Sequence, residues 1–474
     1  MGKFELSADV DANKIFLVNH SELEGRLDID YYRPAISLLE KKVREKSAKK
    51  LKDFIVKIAS GATPSVQEET KFYGDEESGI PFLRVQNLNE NGELSLDDVK
   101  FINQKTHDNY LKRSQVSEYD LLVKITGVGR MAIASVAPTG FVGNTNQHMV
   151  IIKTTSEEQS HYLSNYLNLD IVEALASRRA TGATRPALDY PALKSIPVIE
   201  NIDFSALKKA ELLKQKKETQ AQALLDSIDA YLLTELGITL PEQDSRLEKR
   251  MFTVPLSEVT GSRLDPDMAL YRRHTKTSKF PLSKLSNHLL SPPQYGANER
   301  GVERLSKKIP RYVRITDISE FGELSEGLGV AAEVADDKYL LVPGDLLFAR
   351  SGNTVGKAYL HIGNDEEQHV FAGYMIRFRL NPATLLPAYV LAYTLCQAYK
   401  EWRAAVQRAA GQPNINAEEY KALLIPLPPI EKQNEIAAHI SDIRAQAKQL
   451  QEEAAQILAT AKAEIERMIL GEAA

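Results

Sequence analysis

The chain has 474 residues, 43% of them hydrophobic, which is enough for two or three domains with ordinary buried cores. Its formal net charge of −5 argues against a protein that binds nucleic acid over its whole surface, so such a role would need local basic patches. No apolar run approaches the roughly 20 residues of a membrane helix, residues 1–13 are too polar for a secretory signal, and the single cysteine, Cys396, allows no internal disulfide, so we expect a cytoplasmic protein.

Two long stretches of the chain repeat each other at a distance of about 230 residues. Arg26-Leu27-Asp28 returns as Arg263-Leu264-Asp265, and Asp120-Leu121-Leu122 returns as Asp345-Leu346-Leu347. Gly182 precedes Ile196-Pro197 by the same spacing that separates Gly411 from Ile425-Pro426. A period this long indicates a duplicated domain and excludes a solenoid array.

The first copy alternates predicted helices and strands. The helical patterns cover residues 33–52 and 162–179, and the predicted strands cover residues 82–85, 121–125, 131–136 and 149–153. Residues 203–236 contain no Gly or Pro, are rich in strong helix formers and begin at a capping Asp203, so they predict a long helix. Residues 237–249 read as a linker.

The second copy repeats this order and ends in another long helix. Residues 387–407 predict its last internal helix, and three prolines, at positions 426, 428 and 429, precede the terminal helix. The terminal helix has apolar residues in alternating steps of four and three, the spacing of a coiled coil: Ile440, Ile443, Ala447, Leu450, Ala454, Ile457 and Ala461. The helix after the first copy has a weaker seam, interrupted by Lys217: Ala210, Leu213, Ala221, Leu224, Ile228 and Tyr231.

We therefore predict an α+β protein with an internal pseudo-two-fold repeat, in which two homologous α/β domains are joined by two long antiparallel, coiled-coil helices. The predicted boundaries are 1–202 for the first domain, 203–249 for the central helix and linker, 250–428 for the second domain and 429–474 for the terminal helix.

The combination of motifs resembles the specificity subunits of type I restriction-modification systems. Its hallmark is Gly411-Gln412-Pro413-Asn414-Ile415-Asn416, followed by Ile425-Pro426-Leu427-Pro428-Pro429 and by Glu431-Lys432-Gln433 at the start of a long helix. The doubled Arg-Leu-Asp and Asp-Leu-Leu motifs are similar too, so the resemblance covers nearly the whole chain. The first copy departs from the hallmark, having Gly182-Ala183-Thr184-Arg185-Pro186-Ala187 in the corresponding place.

The resemblance implies a subunit that reads DNA and performs no chemistry. It implies two target-recognition domains, double-stranded DNA with a bipartite, asymmetric site as ligand, and two methyltransferase subunits as partners, through which restriction subunits bind. S-adenosylmethionine, ATP and magnesium would belong to those partners, with no cofactor in this chain. A helix of 34 residues is roughly 50 Å long, and DNA repeats its groove every 34–36 Å or so, so such a helix could set the distance between two half-sites.

Loop residues that can bond bases or phosphates are the candidates for DNA contact. In the first copy these are Arg84, Gln86, Asn87, Lys124, Thr126, Arg130, Asn144, Asn146, Gln147, Arg178, Arg179 and Arg185. In the second copy they are Arg314, Thr316, Arg350, Ser351, Asn353, Lys357, Gln407, Arg408, Gln412 and Asn414. Any one of them is more often a solvated turn residue, so the prediction rests on the set. Candidates for partner docking are the helix residues Leu212, Leu225, Leu232, Leu236 and Ile469.

Several motifs of enzymes are incomplete in this sequence. Residues 352–357 have three residues between the glycines where a P-loop needs four, and Ala358 replaces its Ser or Thr. Ser291-Pro292-Pro293-Gln294 lacks the aromatic residue that amino-methyltransferases stack on a flipped base. The nine histidines show no metal-binding spacing. Asp28 with Asp30, and Asp265 with Asp267, could form a metal site or an acid-base pair, but an ion pair with the adjacent Arg26 and Arg263, or a turn cap, is the preferred interpretation.

Two other functions stay open at this point. A self-contained DNA modification enzyme would need a glycine motif that binds the methyl donor, and a nuclease would need a set of catalytic carboxylates and lysine. Neither motif is recognisable in this sequence. A protein-binding adaptor would show no steep dependence of DNA affinity on salt.

Overall fold

The computed structural model describes residues 6–7, 10–11, 14–23, 26–65, 67, 69–182, 184–240, 253, 255, 268–269, 271, 277–352, 354–363, 367–407 and 413–471. Contacts divide the chain into two compact units, Met1–Lys216 with Glu453–Ala474, and Lys217–Glu452. The predicted domain boundaries at residues 202, 249 and 428 stay a prediction.

The first unit contains two four-stranded sheets. Its strands are β1 (Lys57–Ser60), β2 (Ile80–Leu83), β3 (Lys100–Ile102), β4 (Gln115–Val116), β5 (Leu121–Lys124), β6 (Ala134–Val136), β7 (Gly143–Thr145) and β8 (Met149–Lys153). One sheet has the antiparallel order β1-β8-β5-β6, and the other has the order β3-β2-β7-β4 with a parallel pair, β2 and β7. Every residue of β5 is buried, because both faces of this central strand are covered.

Helices pack on the first of these sheets. They are α1 (Pro34–Lys46), α3 (Glu157–Leu167), α4 (Asp170–Arg179), α5 (Tyr190–Lys194) and the start of the long α6 (Ser205–Leu236), whereas the short α2 (Glu69–Phe72) lies beside β3 of the other sheet. The single helix predicted over residues 162–179 is wrong: Asn168 interrupts it, since its side chain bonds the backbone of Ala134 on β6. The Glu466 carboxylate accepts the free backbone N–H groups of Asp170 and Ile171 at the start of α4.

The second unit repeats part of this topology. Its strands are β9 (Leu282–Lys284), β10 (Gln294–Tyr295), β11 (Gly301–Glu303), β12 (Arg311–Val313), β13 (Val330–Ala332), β14 (Asp345–Ala349), β15 (Ala358–Leu360), β16 (His369–Phe371), β17 (Met375–Arg379) and β18 (Leu424–Pro426). The antiparallel order β10-β17-β14-β15 matches that of the first unit, and β12 pairs parallel with β16 as β2 does with β7.

One glycine in each unit shows how closely the repeat is kept. A Cβ on Gly61 would lie 1.7 Å from the carbonyl oxygen of Thr145, and a Cβ on Gly296 would lie 2.3 Å from that of Ala372. Only glycine allows the two backbones to approach this far. Each glycine follows the first strand of its four-stranded antiparallel sheet, so both copies have the same close approach of two backbones, which we name the glycine crossing.

The helices of the second unit are α7 (Pro387–Tyr393), α8 (Gln397–Val406), α9 (Ala417–Lys421) and the long α10 (Ile430–Leu470). The predicted helix over residues 387–407 is again two helices, and the break has a clear cause. The carboxylate of Asp229, on α6, accepts the backbone N–H of Gln397 at 2.6 Å and so caps α8. Cys396 at this break is buried and forms no disulfide.

The two long helices run antiparallel where they pack in the second unit. The ring centres of Tyr231 and His439 lie 4.3 Å apart, and Glu235 pairs with Lys432 at 2.5 Å. Residue numbers therefore increase along α6 in the direction in which they decrease along α10. In the first unit, Leu207 of α6 shares the core with Ile465 of α10. The α+β fold with two long antiparallel helices is confirmed.

The seam predicted on α10 is confirmed, whereas the seam on α6 needs a correction. Ile440, Ala447 and Ala454 are buried as predicted, but Leu213 of α6 is 50% exposed. Lys214 is half-buried in its place, which keeps steps of four and three between Ala210 and Ala221 through Lys217. No helix in the described residues is long and apolar enough to span a bilayer.

Candidate nucleic-acid interface

Three loops meet at one end of the central sheet in the first unit. One loop follows β5, one precedes β8 and one follows α4. We name their residues, 125–130, 145–148, 181–182 and 184–187, the first loop cluster. Ile125 joins them: its N–H donates to the carbonyl of His148 at 2.9 Å, and its carbonyl accepts the N–H of Leu188 at 2.8 Å. The N–H of Gly127 bonds Pro186 at 3.1 Å, so the backbones of these loops fix one another.

The second unit builds the same arrangement from a different sequence. The N–H of Arg350 donates to the carbonyl of Tyr374, its carbonyl accepts the N–H of Ile415, and the N–H of Gly352 bonds Pro413, at 2.8, 2.8 and 3.1 Å. We name residues 350–352, 372–374 and 413–415 the second loop cluster. Residues 184–187 and 413–415, described parts of the loop at 182–187 and of the hallmark loop, therefore occupy the same place in their units, although only the second copy has the hallmark residues.

Several side chains of the first loop cluster reach solvent, Val128, Thr181 and Thr184 among them. Gln147 and Arg185 are exposed, and Thr126 is half-buried. The Gln147 amide oxygen accepts the hydroxyl of Thr63 at 2.5 Å. Burial, and then the positive charge of Arg185, lower the pKa of His148, which keeps its imidazole neutral near pH 7 beside that exposed cation.

In the second loop cluster, Arg350 is half-buried, with its guanidinium carbon 4.8 Å from the ring centre of Tyr295. Ser351 and Asn414 are half-buried and face each other in an isolated β-bridge. Gln407 is half-buried at the end of α8. The predicted candidates Asn353, Arg408 and Gln412 lie outside the described residues.

Arg84 and Arg314 occupy equivalent places in the two units. Each precedes a 3₁₀ turn, Val85–Asn87 or Ile315–Asp317, and each guanidinium pairs with a carboxylate, of Asp98 at 3.1 Å and of Asp317 at 2.9 Å. Because each guanidinium is paired with a carboxylate, its charge is largely offset, although the two arginine side chains are 24% and 41% exposed. The neighbouring Gln86, which bonds Asp98, and Thr316 are exposed.

Two predicted candidates, Asn87 and Lys124, are buried. Asn87 is fully buried and its amide donates to the carbonyl of Ser95, which shapes the turn. The ammonium group of Lys124 donates to the carbonyl of Val128 at 2.8 Å, and burial lowers its pKa. Both support the loop backbone and neither presents a polar group to a DNA base.

Asn144 and Asn146 are also part of the core of the fold. Asn144 is fully buried and its amide oxygen lies 2.6 Å from a ring nitrogen of His107. Asn146 is 7% exposed and its side-chain oxygen accepts the N–H of His148. Asparagine can satisfy buried backbone groups as well as read adenine, so the residue type alone does not separate the two roles.

Arg130 and Lys357, predicted from the glycine-rich turns, face carboxylates of their own unit. Arg130 pairs with Asp170 at 2.5 Å and its side chain is 18% exposed. Lys357 pairs with Glu320 at 2.9 Å and its side chain is 12% exposed. Both fix the turn to a neighbouring segment, so we remove them from the set of DNA contacts.

Arg178 and Arg179 are the clearest correction. Glu40, on α1, accepts hydrogen bonds from Arg178, Arg179 and Arg44 at 2.7, 2.6 and 2.5 Å, and all but Arg44 are largely buried. Burial alone would raise the pKa of Glu40, but the guanidinium groups, that of Arg179 foremost, hold the pKa below its ordinary value. The two arginines therefore tie α4 to α1 and do not face solvent.

Sequence reasoning missed the role of Arg26. Its guanidinium stacks on the Tyr31 ring at 4.5 Å and donates to the carbonyls of Arg179 and Ala180 at 3.2 and 3.3 Å, directly before the loop at 181–187. It also pairs with Asp28 at 2.8 Å, which confirms the ion-pair interpretation of that aspartate. The doubled Arg-Leu-Asp motif was the available signal, but its second occurrence lies outside the described residues.

Most of the predicted docking residues are buried. Leu232, Leu236 and Ile469 are at most 4% exposed and form core contacts, and Leu225 is half-buried. Leu212 alone is exposed, at 68%. Helical spacing could not separate these positions, because both faces of the long helices carry apolar residues. Leu213 and Met468, not predicted, are exposed apolar residues of the first unit.

Among the described residues, no group of three or more His, Cys, Asp and Glu side chains could hold a metal ion.

Residues 313–459 match the family model described as the type I restriction modification DNA specificity domain. Over 401 residues the chain is 23% identical to the EcoKI specificity subunit of Escherichia coli (strain K12), a type I restriction enzyme, covering 80% of this chain and 78% of that protein. It is 32% identical over 138 residues to the putative MjaX specificity subunit of Methanocaldococcus jannaschii, covering 27% and 32% of the two chains. Among solved structures, an S subunit of a type I system from M. genitalium is similar over 89% of this chain and 95% of that chain, with 11% identity and a TM-score of 0.38.

Proposed function

We propose that this chain, which carries a type I restriction modification DNA specificity domain and is related over most of its length to type I specificity subunits, reads a bipartite DNA site and has no catalytic role of its own. The predicted resemblance to that family is confirmed by the domain match and by the 401-residue similarity. The observation that carries the proposal is the pair of loop clusters, which have the same backbone connections and different exposed side chains.

The loop clusters have the properties that base readout requires. Their backbones are fixed by hydrogen bonds between loops, so little conformational entropy is lost when side chains bind. Arg185 and Gln147 in the first cluster and Arg350 and Asn414 in the second carry donors and acceptors that match base edges. Because these side chains differ between the units, we expect the two half-sites to differ in sequence.

The proposed DNA contacts are the candidates that reach solvent or stay partly accessible. These are Gln86, Thr126, Gln147 and Arg185 in the first unit and Thr316, Arg350, Ser351, Gln407 and Asn414 in the second. Asn353, Arg408 and Gln412 stay in the proposal on sequence grounds alone. Arg84 and Arg314, whose charges are already paired, are proposed to contribute through their partly exposed surfaces only.

The partners that we propose are two methyltransferase subunits, with restriction subunits bound through them. These partners would supply S-adenosylmethionine, ATP and magnesium. Leu212 and Leu213 of α6 are 68% and 50% exposed on adjacent positions, which supports them as docking residues. A groove of about 500 Å³ in the second unit, lined by Leu391 of α7 and Ile440 of α10, offers further apolar surface.

A salt titration of DNA binding tests the proposal. Binding of the full chain to DNA carrying the site, measured by fluorescence anisotropy, should weaken steeply between about 50 and 200 mM salt, because phosphate contacts release counterions. A protein-binding adaptor would show no such dependence.

The absence of a catalytic role needs a separate measurement. The purified chain is incubated alone with a labelled methyl donor and plasmid DNA, and the same reaction is run with methyltransferase partners as the positive control. We expect label on the DNA only in the second reaction. Methylation by the isolated chain would contradict the proposal.

A further inference from the structure

Arg350 differs from the other arginines of the two loop clusters in how its side chain is fixed. Its guanidinium carbon lies 4.8 Å from the centre of the Tyr295 ring, which is 40% exposed. Among the described residues no carboxylate pairs with this guanidinium, and its Nε atom is buried without a hydrogen-bond partner. The charge is thus stacked on an aromatic face and not neutralised.

The Tyr295 ring is itself fixed at both ends. Its backbone is in β10, where it pairs with Ile376, and its hydroxyl accepts the backbone N–H of Ala417 at 3.2 Å. Gly296, which follows it, allows the close approach to Ala372 that brings β10 to the loop cluster. The ring is therefore a rigid support.

The backbone of Arg350 is fixed as well. Its N–H is bonded to Tyr374 and its carbonyl to Ile415, so both neighbouring loops determine where the side chain begins. With the backbone and the guanidinium plane both restrained, the fork of N–H donors is preorganised, and little entropy remains to be lost on binding.

The first unit has no counterpart to this pair. Aligned on the repeated Asp-Leu-Leu motif, Ile125 stands at the position of Arg350, and aligned on the glycine crossing, Ser60 stands at the position of Tyr295. Ile125 is 8% exposed and packs in the core. The stacked arginine is thus a property of the second unit.

Resting on the function proposed above, we propose that Arg350, positioned by Tyr295, reads a guanine in the half-site bound by the second unit, with two parallel hydrogen bonds to O6 and N7. Arginine to guanine is the commonest specific contact in the major groove, because the guanidinium fork matches these two acceptors. A phosphate can also accept two hydrogen bonds from a guanidinium, so a phosphate contact is the alternative that the duplex series has to exclude. The first half-site has no guanine read from the equivalent position.

The experiment uses the full chain in complex with its methyltransferase partners. Sequencing of methylated adenines defines the site. Exchange of residues 31–195 for the corresponding segment of a related specificity subunit should change the half read by the first unit, and the unchanged half then belongs to the second unit. Anisotropy titrations then use duplexes in which each base pair of that half is changed in turn. The native complex should lose about 10- to 100-fold in affinity when the guanine is replaced. Arg350→Gln should bind all duplexes at that position within about threefold of one another while keeping its discrimination elsewhere.

Matched variants separate positioning from charge. Arg350→Lys keeps the charge and loses the fork, so it too should lose discrimination at that one base pair while its salt dependence stays native. Tyr295→Phe keeps the ring and should resemble the native complex, whereas Tyr295→Leu removes the stacking face and should relax discrimination at the same base pair. Lys284→Gln, which removes an exposed positive charge of the same unit, should leave every preference unchanged.

The failures are distinguishable. If Arg350→Gln weakens binding to all duplexes equally, the residue contacts phosphate, and if it changes nothing, it does not contact DNA; either result overturns the inference and leaves the proposed function standing. If the native complex discriminates no duplex, the proposed function is wrong. The thermal unfolding temperature of each variant is compared with that of the native chain. If Arg350→Gln unfolds at a lower temperature, the discrimination measured for Arg350→Lys tests the inference in its place.

Discussion

Residues of one type take opposite roles in this protein according to burial. Arg178 and Arg179 are buried against Glu40, and they stabilise the first unit. Arg185 and Arg350 reach solvent at the loop clusters. Desolvating a guanidinium is costly unless other groups of the fold pair with it or accept its hydrogen bonds, so the buried arginines are held by partners within the chain, whereas an accessible one can bind a ligand.

Arg185→Gln should weaken DNA binding. If the exposed cation contacts a phosphate, affinity should fall similarly for all sequences and the slope of log affinity against log salt should become shallower by about 1. The measurement is anisotropy at several salt concentrations. Arg33→Gln is the control, since Arg33 is exposed but already paired with Asp30 at 2.6 Å. Equal effects of the two changes would exclude a specific contact by Arg185.

Glu40→Gln should destabilise the first unit by about 3–5 kcal/mol, because it leaves buried guanidinium groups without their carboxylate. Hydrogen-deuterium exchange of α1 and α4, with unfolding followed by circular dichroism, measures the loss. The control is Glu45→Gln, a change to an exposed residue of the same helix, which should have little effect.

The same residue predicts a pH dependence. Because the pKa of Glu40 is lowered in the folded chain from an ordinary value of 4.5, its contribution is complete above that value and is lost as pH falls through the folded pKa. The stability of the first unit should therefore decline below about pH 4.5, and more steeply in the native chain than in Glu40→Gln. Equal slopes would show that another group is responsible.

At the scale of elements, apolar spacing and actual burial agree on α10 and diverge on α6. The steps of four and three on α10 place Ile436, Ile440 and Ile443 in the core of the second unit. On α6 the seam passes through Lys214 and Lys217 while Leu213 is exposed. Long lysine side chains can cover apolar surface with their methylene groups and keep the ammonium group in water, so a seam position need not be apolar.

Ile440→Ala should lower the free energy of unfolding of the second unit by about 2–4 kcal/mol, because Ile440 is 2% exposed and its removal leaves a cavity. Trp402, the single tryptophan of the chain, lies in the same core, so its fluorescence reports the unfolding of the second unit in urea. Leu212→Ala, at a residue 68% exposed, should stay within about 0.5 kcal/mol of the native value. A similar loss in both variants would mean that the seam contributes nothing beyond helix propensity.

At the scale of the whole molecule, duplication would let one fold recognise two sequences, as the proposed function requires. The two four-stranded antiparallel sheets have the same order, and the loop clusters at their ends have the same backbone bonds. The strands are buried and constrained by packing, whereas the exposed loop residues are constrained by their ligand alone. Side chains at the loops can therefore differ between the copies at little cost to stability.

Replacing residues 31–195 by the corresponding segment of a related specificity subunit should change one half of the recognised site and leave the other unchanged. The physical reason is that the first loop cluster lies entirely within this segment. Sequencing methylated adenines in cells that carry the hybrid and its methyltransferase partners measures the result. A hybrid made with the native segment recloned in the same way controls for the junctions, and a change in both halves would contradict modular recognition.

The sequence by itself determined the duplication, the resemblance to type I specificity subunits, the two long helices and the apolar seam of α10. These depend on repeated residues and on helical spacing, which are local properties of the chain. It also placed both glycine-rich turns and both loops that meet them.

Only the tertiary structure decided which polar residues are accessible. Asn144, Arg178 and Lys124 have the same chemistry as residues that read DNA, but their partners, His107, Glu40 and Val128, were not recognised from the sequence. The breaks in two predicted helices and the stacking of Arg350 on Tyr295 were hidden for the same reason. A buried polar group must be satisfied by whichever residue the fold brings near, and that pairing is fixed by the packing of distant segments, which no local pattern records.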